Sequence, residues 1–324
     1  MQIRIGGFAK LLAGVAALTL SSAALAAYPD KPVKLIVPFP AGGLADTVAR
    51  VVAEKLGASL GQPVIVDYKA GAATIIGADT VARSPADGYT LLLGSATTFA
   101  VNPIIYSKLP YRPLESFEPI GIVGSNSLAL LANESVPAAD IKQLVDAIKA
   151  DPQKFSYGSH GAGSTVHFAA EMLWRAAGVD VLHIPYKGSA PATTDLMGGQ
   201  IALAFDSVPA AMAAAKGGRV KILATSGQSR AQLLPNVPTI SESGYPVTLD
   251  AWWAIVAPQG LPAEVKDKLV QALQQTMADK SVHDRLVGLG FETRYGPPSA
   301  FAELIKQDTD KLAPIAKANN IRQD

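Results

Sequence analysis

The chain has 324 residues, 49% of them hydrophobic, with 28 Lys or Arg against 27 Asp or Glu for a formal net charge of +1. Near-neutral charge offers no electrostatic basis for holding nucleic acid or an anionic membrane. There is no cysteine, which excludes a disulfide framework, a thiol nucleophile, a thiolate metal site and a lipid-modified cysteine, so a hydrophobic core has to hold the fold.

Residues 1–26 have a basic start (Arg4, Lys10), the apolar run "LLAGVAALTL" and the small residues "SSAALA", with an A-x-A site at Ala24-Leu25-Ala26. This pattern predicts a cleaved secretory signal peptide, because the apolar run is too short to span a bilayer. The expected product is exported, begins at Ala27 and has lost two positive charges.

The mature part alternates β-rich runs with helical periods. "VKLIVPF" leads to a helix from Leu44, whose face Leu44, Val48, Val51, Val52 and Leu56 is apolar and whose stripe Asp46, Arg50 and Glu54 is charged at i, i+4 spacing. "PVIVDY" leads to "TIIGADTVARS", and "YTLLLGS" to "TTFAVNPIIY". From Phe117 a longer strand, "EPIGIVGSNSLALLA", breaks the pattern, and a similar one, "TLDAWWAIVAP", follows much later. A self-contained set lies between them: "KFSYGS", "STVHFAAEMLWRAAG", "VLHIPYK", "APATTDLMGG", "QIALAFDS", "VPAAMAAAKGG" and "VKILATS". Only helices are expected afterwards. The pattern predicts an α/β protein with two α/β lobes joined by two crossing strands, lobe 1 formed by 27–123 and 249–324 and lobe 2 by 124–248.

Ligands of open α/β sheets sit at the carboxyl ends of strands, where helix N-termini also point. These ends carry Pro40, Ala41, Gly42 and Gly43, then Ser95, Thr97 and Thr98, then "SHGAGST" (159–165), then Gly188 and Ser189, and finally Asp206. The two glycine loops lead into helices at Leu44 and Ser164, and glycine lets successive amides converge on an anion. Read plainly, they are ordinary strand-to-helix turns with Ser164 as an N-cap; facing one another across a cleft, they make a clamp. Four charge-assisted bonds to backbone donors supply roughly 6–12 kcal/mol gross, and micromolar binding needs about 8 kcal/mol net, so no dedicated arginine is required. Asp46 suits the first turn of its helix and pairs with Arg50. Asp206 either receives a ligand hydroxyl or water, or fixes its own loop.

Other chemistries fit poorly. Leu44 and Ala45 stand where a P-loop needs Lys and Ser or Thr, and G-x-G-x-x-G is absent from "PAGGLAD". The four histidines, His160, His167, His183 and His283, are scattered, so no metal site is expected. Ser159 or Ser164 with His160 or His167 and Asp206 would be a hydrolase triad, but "GSHGAGS" is not a nucleophile elbow. No cofactor and no catalytic residue are expected.

The stretches "YPDKPVKLIVPFPAGGLADTVAR", "GADTVARSPADGYTLLLG", "YGSHGAGSTVHFAAE", "HIPYKGSAPATTDLMGGQIALAFDS", "LPNVPTISESGYP" and "WWAIVAPQGLP" closely resemble, in order, the Bug-type solute receptors of tripartite tricarboxylate transporters. The resemblance implies a type II periplasmic binding fold that closes on a small carboxylate, often a di- or tricarboxylate or an aromatic acid, and delivers it to membrane permease subunits; a monomer is expected. By motif position it implies Phe39, Ala41, Gly42, Gly43 and Asp46 in one ligand loop and Ser159, Gly161, Ala162, Gly163 and Ser164 in the other. Ser95, Thr97, Tyr186 and Asp206 would line the walls. Where such receptors commonly read like "VENRPGAGGNIGA", this chain has "VDYKAGAATIIGA", with Tyr68, Ala73, Thr74 and Ile75 in place of amide and glycine positions. This departure suggests a ligand with an apolar or aromatic body, such as a terephthalate-like acid; alternatively the segment only packs against the first helix. The expected role is a transport receptor; the alternatives are a periplasmic hydrolase using a Ser/His pair in the same cleft and a receptor that signals to a membrane sensor.

Overall fold

The computed structural model describes residues 28–323; the expected signal peptide lies outside the described residues. The chain opens with β1 (Val33–Val37), α1 (Leu44–Leu60), β2 (Val64–Tyr68), α2 (Ile75–Ala82) and β3 (Thr90–Ser95). β1 pairs in parallel with both β2 and β3, as the alternation predicts. A π-helical turn (Thr97–Val101) runs into α3 (Asn102–Ile105), followed by the 17-residue β4 (Phe117–Asn133).

The next elements are α4 (Ile141–Ala150), β5 (Ser156–Ser159), α5 (Thr165–Ala177), β6 (Leu182–Pro185), α6 (Ser189–Met197), β7 (Leu203–Ser207), α7 (Val208–Ala215) and β8 (Val220–Thr225). The chain returns through β9 (Asp250–Pro258) and finishes with α8 (Ala263–Ala278), α9 (Lys280–Val287), β10 (Glu292–Gly296) and α10 (Ala300–Ala318). Two of these elements were not expected. α4 carries a reciprocal cap: Asp140 accepts from the Gln143 amide at 2.8 Å, and the Gln143 side chain accepts from the Ala139 amide at 3.0 Å, a pattern visible in the sequence. β10 interrupts the expected all-helical end, because five mostly polar residues signal a strand only through their pairing with β4.

All strands belong to one connected sheet in the order β2-β1-β3-β9-β4-β7-β5-β6, with β8 and β10 also on β4. β4 pairs with β9 and β10 through residues up to Ser127 and with β7 and β8 from Leu128 onward. One strand therefore serves both halves. The return crossing is the segment before β9, where the Ser226 amide donates to the Leu128 carbonyl at 2.8 Å and the Ser127 hydroxyl to Asp250 at 3.0 Å. α10 supplies a third connection. Its Phe301 and Ile305 pack with Phe99, Phe117 and Trp252, whereas Leu312, Ile315 and Ala316 belong to the core of Leu130, Phe168 and Phe205. We propose two lobes divided near 127 and 249, moving the first sequence-based boundary from 123 to where β4 changes partners and amending the division at the C-terminal end, where the last turns of α10 and Ile321 pack with the second half.

The first half is held around Phe99, whose ring meets Phe301 edge-on at 4.9 Å and Phe117 at 5.6 Å. Burying such a ring contributes about 1.5–3 kcal/mol. The adjacent Trp252 satisfies its buried indole N–H by donating to Asp308 at 2.6 Å. Between β2 and α2, Ala72, Ala73 and Thr74 have φ of 44°, 47° and 78°, three successive left-handed residues without a glycine among them. Asn102 holds the turn by donating to the Ala73 carbonyl at 2.7 Å, and Thr98 by donating to the Thr74 hydroxyl at 3.0 Å.

Two stability measurements follow from this packing. In urea titration, Phe99→Ala should lower unfolding free energy by about 3–5 kcal/mol through cavity formation. Ala73→Gly should raise it by roughly 0.5–1 kcal/mol, since about 1–2 kcal/mol of left-handed strain is relieved and part of that is offset by glycine entropy.

Candidate functional site

β1, β3, β5 and β7 end at a cleft of about 1240 Å³ between the two halves of the sheet. From the first half it is lined by Phe39, Ala41, Gly43, Ser95 and Thr97, and from the second by Gly161, Ala162, Gly163, Ser164 and Asp206. These ten of the fifteen sequence-derived candidates converge on one space. Gly42, Asp46, Tyr68, Ser159 and Tyr186 do not line it, and each has a different task.

Asp46 is an internal brace. One carboxylate oxygen accepts the Gly42 amide at 2.7 Å; the other accepts the Tyr68 hydroxyl at 2.5 Å and Arg50 Nε at 2.6 Å. The Tyr68 hydrogen bond, then the Gly42 amide and Arg50, hold the carboxyl below the usual carboxylate range. The bond also consumes the Gly42 N–H, which is therefore not a free anion donor as the clamp reading expects. Tyr68 ties the loop to β2, and Ile75 packs beside Ala78 and Phe99. The departure from the family pattern at these two positions is accounted for by packing; Gly71, Ala73 and Thr74 of the same segment do line the cleft.

The second glycine loop is also largely self-satisfied. Gly161 N–H donates to the Ser159 hydroxyl at 3.1 Å, Gly163 N–H to His167 Nδ1 at 3.0 Å, and Ser164 N–H to the Gly161 carbonyl at 3.1 Å. Ser164 caps α5 by accepting the His167 amide at 3.4 Å, as its sequence position predicts. Ser159 is fully buried behind the loop, and Tyr186 spends its hydroxyl on Asp195 at 2.7 Å. Asp206 fixes its own surroundings, accepting Ser189 Oγ at 2.5 Å and the Ser207 amide at 2.7 Å, with His160 Nε2 3.4 Å away. Burial alone pushes this carboxyl up, but His160, Ser189 and the Ser207 amide outweigh it and hold it low.

Several donors remain for a guest. Ser95 Oγ is buried and has no hydrogen-bond partner among the described residues. α1 begins at Gly43 without a side-chain cap, so its first amides lack intrahelical partners and its dipole favours an anion. Thr97 and Thr165 touch hydroxyl to hydroxyl across the halves at 3.3 Å. The rest of the wall is mainly apolar: Tyr106, Leu128, Val166 and Trp253 face the same space. Leu128 and Trp253 were not candidates, since nothing in a buried strand's sequence tells which residue borders a cleft. The imagined triad does not assemble: His160 faces Asp206, whereas Ser159 meets His183 at 2.7 Å. Among the described residues no three His, Asp or Glu side chains are grouped to hold a metal.

A family model described as the tripartite tricarboxylate transporter family receptor matches residues 48–321. BugT of Bordetella pertussis is 34% identical over 292 residues, covering 90% of each chain. A protein encoded between tcbD and tcbE in Pseudomonas sp. strain P51 is 36% identical over 313 residues, 94% of this chain and 92% of its own. Among solved structures, the periplasmic binding protein BugD is 38% identical with a TM-score of 0.78, covering 92% of this chain and all of its own. Rpa4515 of R. palustris, solved with adipate, is 30% identical with a TM-score of 0.81, covering 91% and 99%. MatC of Rhodopseudomonas palustris, solved with bound malate, is 29% identical with a TM-score of 0.76, covering 89% and 99%. With a cleft between two halves of one α/β sheet and a family match over most of its length, the chain belongs to the tripartite tricarboxylate transporter receptor family and is a solute-binding receptor of the Bug type, not an enzyme.

Proposed function

We propose that this protein captures a small carboxylate in the periplasm and presents it to the membrane permease subunits of a tripartite transporter. The observation that carries the reading is the pairing, in one cleft, of an uncapped α1 N-terminus with the unpartnered Ser95 hydroxyl. A carboxylate in this cleft offers acceptors to both kinds of donor, and charge-assisted bonds of this kind contribute about 1.5–3 kcal/mol each. Adipate and malate in related receptors support the same class.

For the body of the ligand, the cleft walls carry the argument that Tyr68 and Ile75 were expected to carry. Phe39 and Trp253 meet at 5.3 Å between ring centroids, and Leu128 and Val166 also face the space. An apolar or aromatic body, as in adipate or terephthalate, loses no hydrogen bonds against such walls. A citrate-like acid brings extra hydroxyl and carboxylate groups that the apolar walls cannot pair, at a cost of order 1–3 kcal/mol for each group left unsatisfied.

Isothermal titration with adipate, terephthalate, malate and citrate should show stoichiometric binding of one of the first two as the tightest of the four; citrate binding tightest would overturn the apolar assignment. The glycine pair supplies a second test. Gly43 has φ −91° and ψ −176°, and a Cβ built there meets nothing within 4 Å, so valine fits the backbone and projects into the cleft. Gly43→Val should weaken binding roughly 100-fold or more, equal to about 2.7 kcal/mol, with an unchanged melting temperature. Gly42 sits at φ +88°, so Gly42→Val adds backbone strain and is the poorer probe.

A further inference from the structure

β5 delivers the ligand-side loop 159–164 and α5 carries it away. Behind the loop, three rings form a stack across β5, β6 and α5. His167 lies against His183 at 3.9 Å between centroids and 12° between planes, and His183 against Tyr157 at 4.9 Å and 23°. Each imidazole grips one end of the loop. His183 Nε2 meets the Ser159 hydroxyl at 2.7 Å, and His167 Nδ1 accepts the Gly163 N–H at 3.0 Å. Neither ring lines the cleft, whereas Gly161, Ala162 and Gly163 between the two anchor points do. Gly161 and Gly163 have φ of +124° and +76°, conformations glycine adopts freely, so the choice among loop shapes is left to the anchors.

We propose that His167 and His183 are positioning residues that set the ligand-binding shape of the loop 159–164 from behind. This rests on the cleft being the carboxylate site. The grip of His167 requires a specific tautomer: Nδ1 accepts, so the proton sits on Nε2, which lies 3.9 Å from Glu171. A proton on Nδ1 would set donor against donor, and the Gly163 amide would be released.

The surroundings keep both rings neutral. Burial pushes His167 down to about 3, helped by His183, and His183 down to about 4. The groups facing the pair are Tyr157 of β5, Glu171 and Arg175 of α5, Asp180 before β6, and Arg322 after α10. All but Tyr157 border a second cavity of about 520 Å³ behind the loop, and the Tyr157 hydroxyl is hydrogen-bonded to Glu171. Burial raises the Glu171 carboxyl, which weakens its pull toward a charged His167. The unfolded chain takes up a proton on each histidine near pH 6.5, but the native rings refuse it. The stabilising contribution is thus complete above about pH 6.5 and shrinks as pH falls toward 4.

The test uses His167→Leu, which removes the acceptor, and His167→Asn, whose side-chain oxygen can replace Nδ1 and cannot titrate. In the ligand-free protein, amide exchange at Gly161 and Gly163 should accelerate about tenfold in His167→Leu and stay within about threefold of wild type in His167→Asn, tenfold being one lost hydrogen bond. Titration with adipate and terephthalate should show the same ranking of affinities. The drop in urea midpoint between pH 7 and pH 4.5 should be smaller in His167→Asn than in wild type. Equal exchange in the two variants, or an unchanged pH drop, overturns the proposal. His183→Leu releases the other end and leaves the Ser159 hydroxyl in place as acceptor of the Gly161 N–H, so if His167→Leu does not fold, faster exchange at Gly161 in this variant supports the proposal and unchanged exchange overturns it. If wild type binds none of the four acids, the carboxylate reading fails, while the exchange experiment still decides whether the histidines hold the loop.

Discussion

The structure depends on one strand being shared. β4 is long enough to pair with β9 and β10 at one end and with β7 and β8 at the other, and nearly all of it is buried. Because its buried backbone groups need partners along its length, each half of the sheet is built on the same strand. The cleft lies where the partners change, at Asn126 and Leu128. The chain crosses between the halves around Ser127, through the segment from Ser226 to Asp250, and through α10, which has buried side chains in both cores.

A second constraint is that most polar groups near the cleft are already spoken for. Asp46 is consumed by Gly42, Arg50 and Tyr68, and Asp206 by Ser189, Ser207 and His160. These bonds fix loop shapes; they do not solicit a guest. The groups left over include the Ser95 hydroxyl, the start of α1 and Lys187 on the cleft wall, which suits an anion whose bulk is apolar. The strained turn 72–74 belongs to the same economy. Its three left-handed residues persist because Asn102 and Thr98 over-determine them, and the turn shapes one wall of the cleft.

Much of this was legible along the chain. The strand-to-helix joins at Gly43 and Ser164, the apolar face of α1 and the long strand beginning at Phe117 all follow from local periodicity and turn chemistry, which act over a few residues. β10 was not legible, since its five residues gain strand character only from pairing with β4. Tyr68 and Ile75 looked like ligand contacts because they depart from a family pattern, yet they face Asp46 and the Phe99 core. The histidines looked scattered, and in sequence they are: His167 and His183 become neighbours only because β6 lies beside β5 while α5 packs over it.

The sequence by itself determined most of the elements and their order, the α/β class and the two glycine loops, because hydrophobic period, capping and glycine freedom are properties of neighbouring residues. Only the tertiary structure decided which of those residues reach the cleft and which are spent inside the protein. A donor's availability depends on what lies within about 3 Å of it in space, and that distance is set by partners such as Asp46, His167 and His183, which stand several to many positions away along the chain.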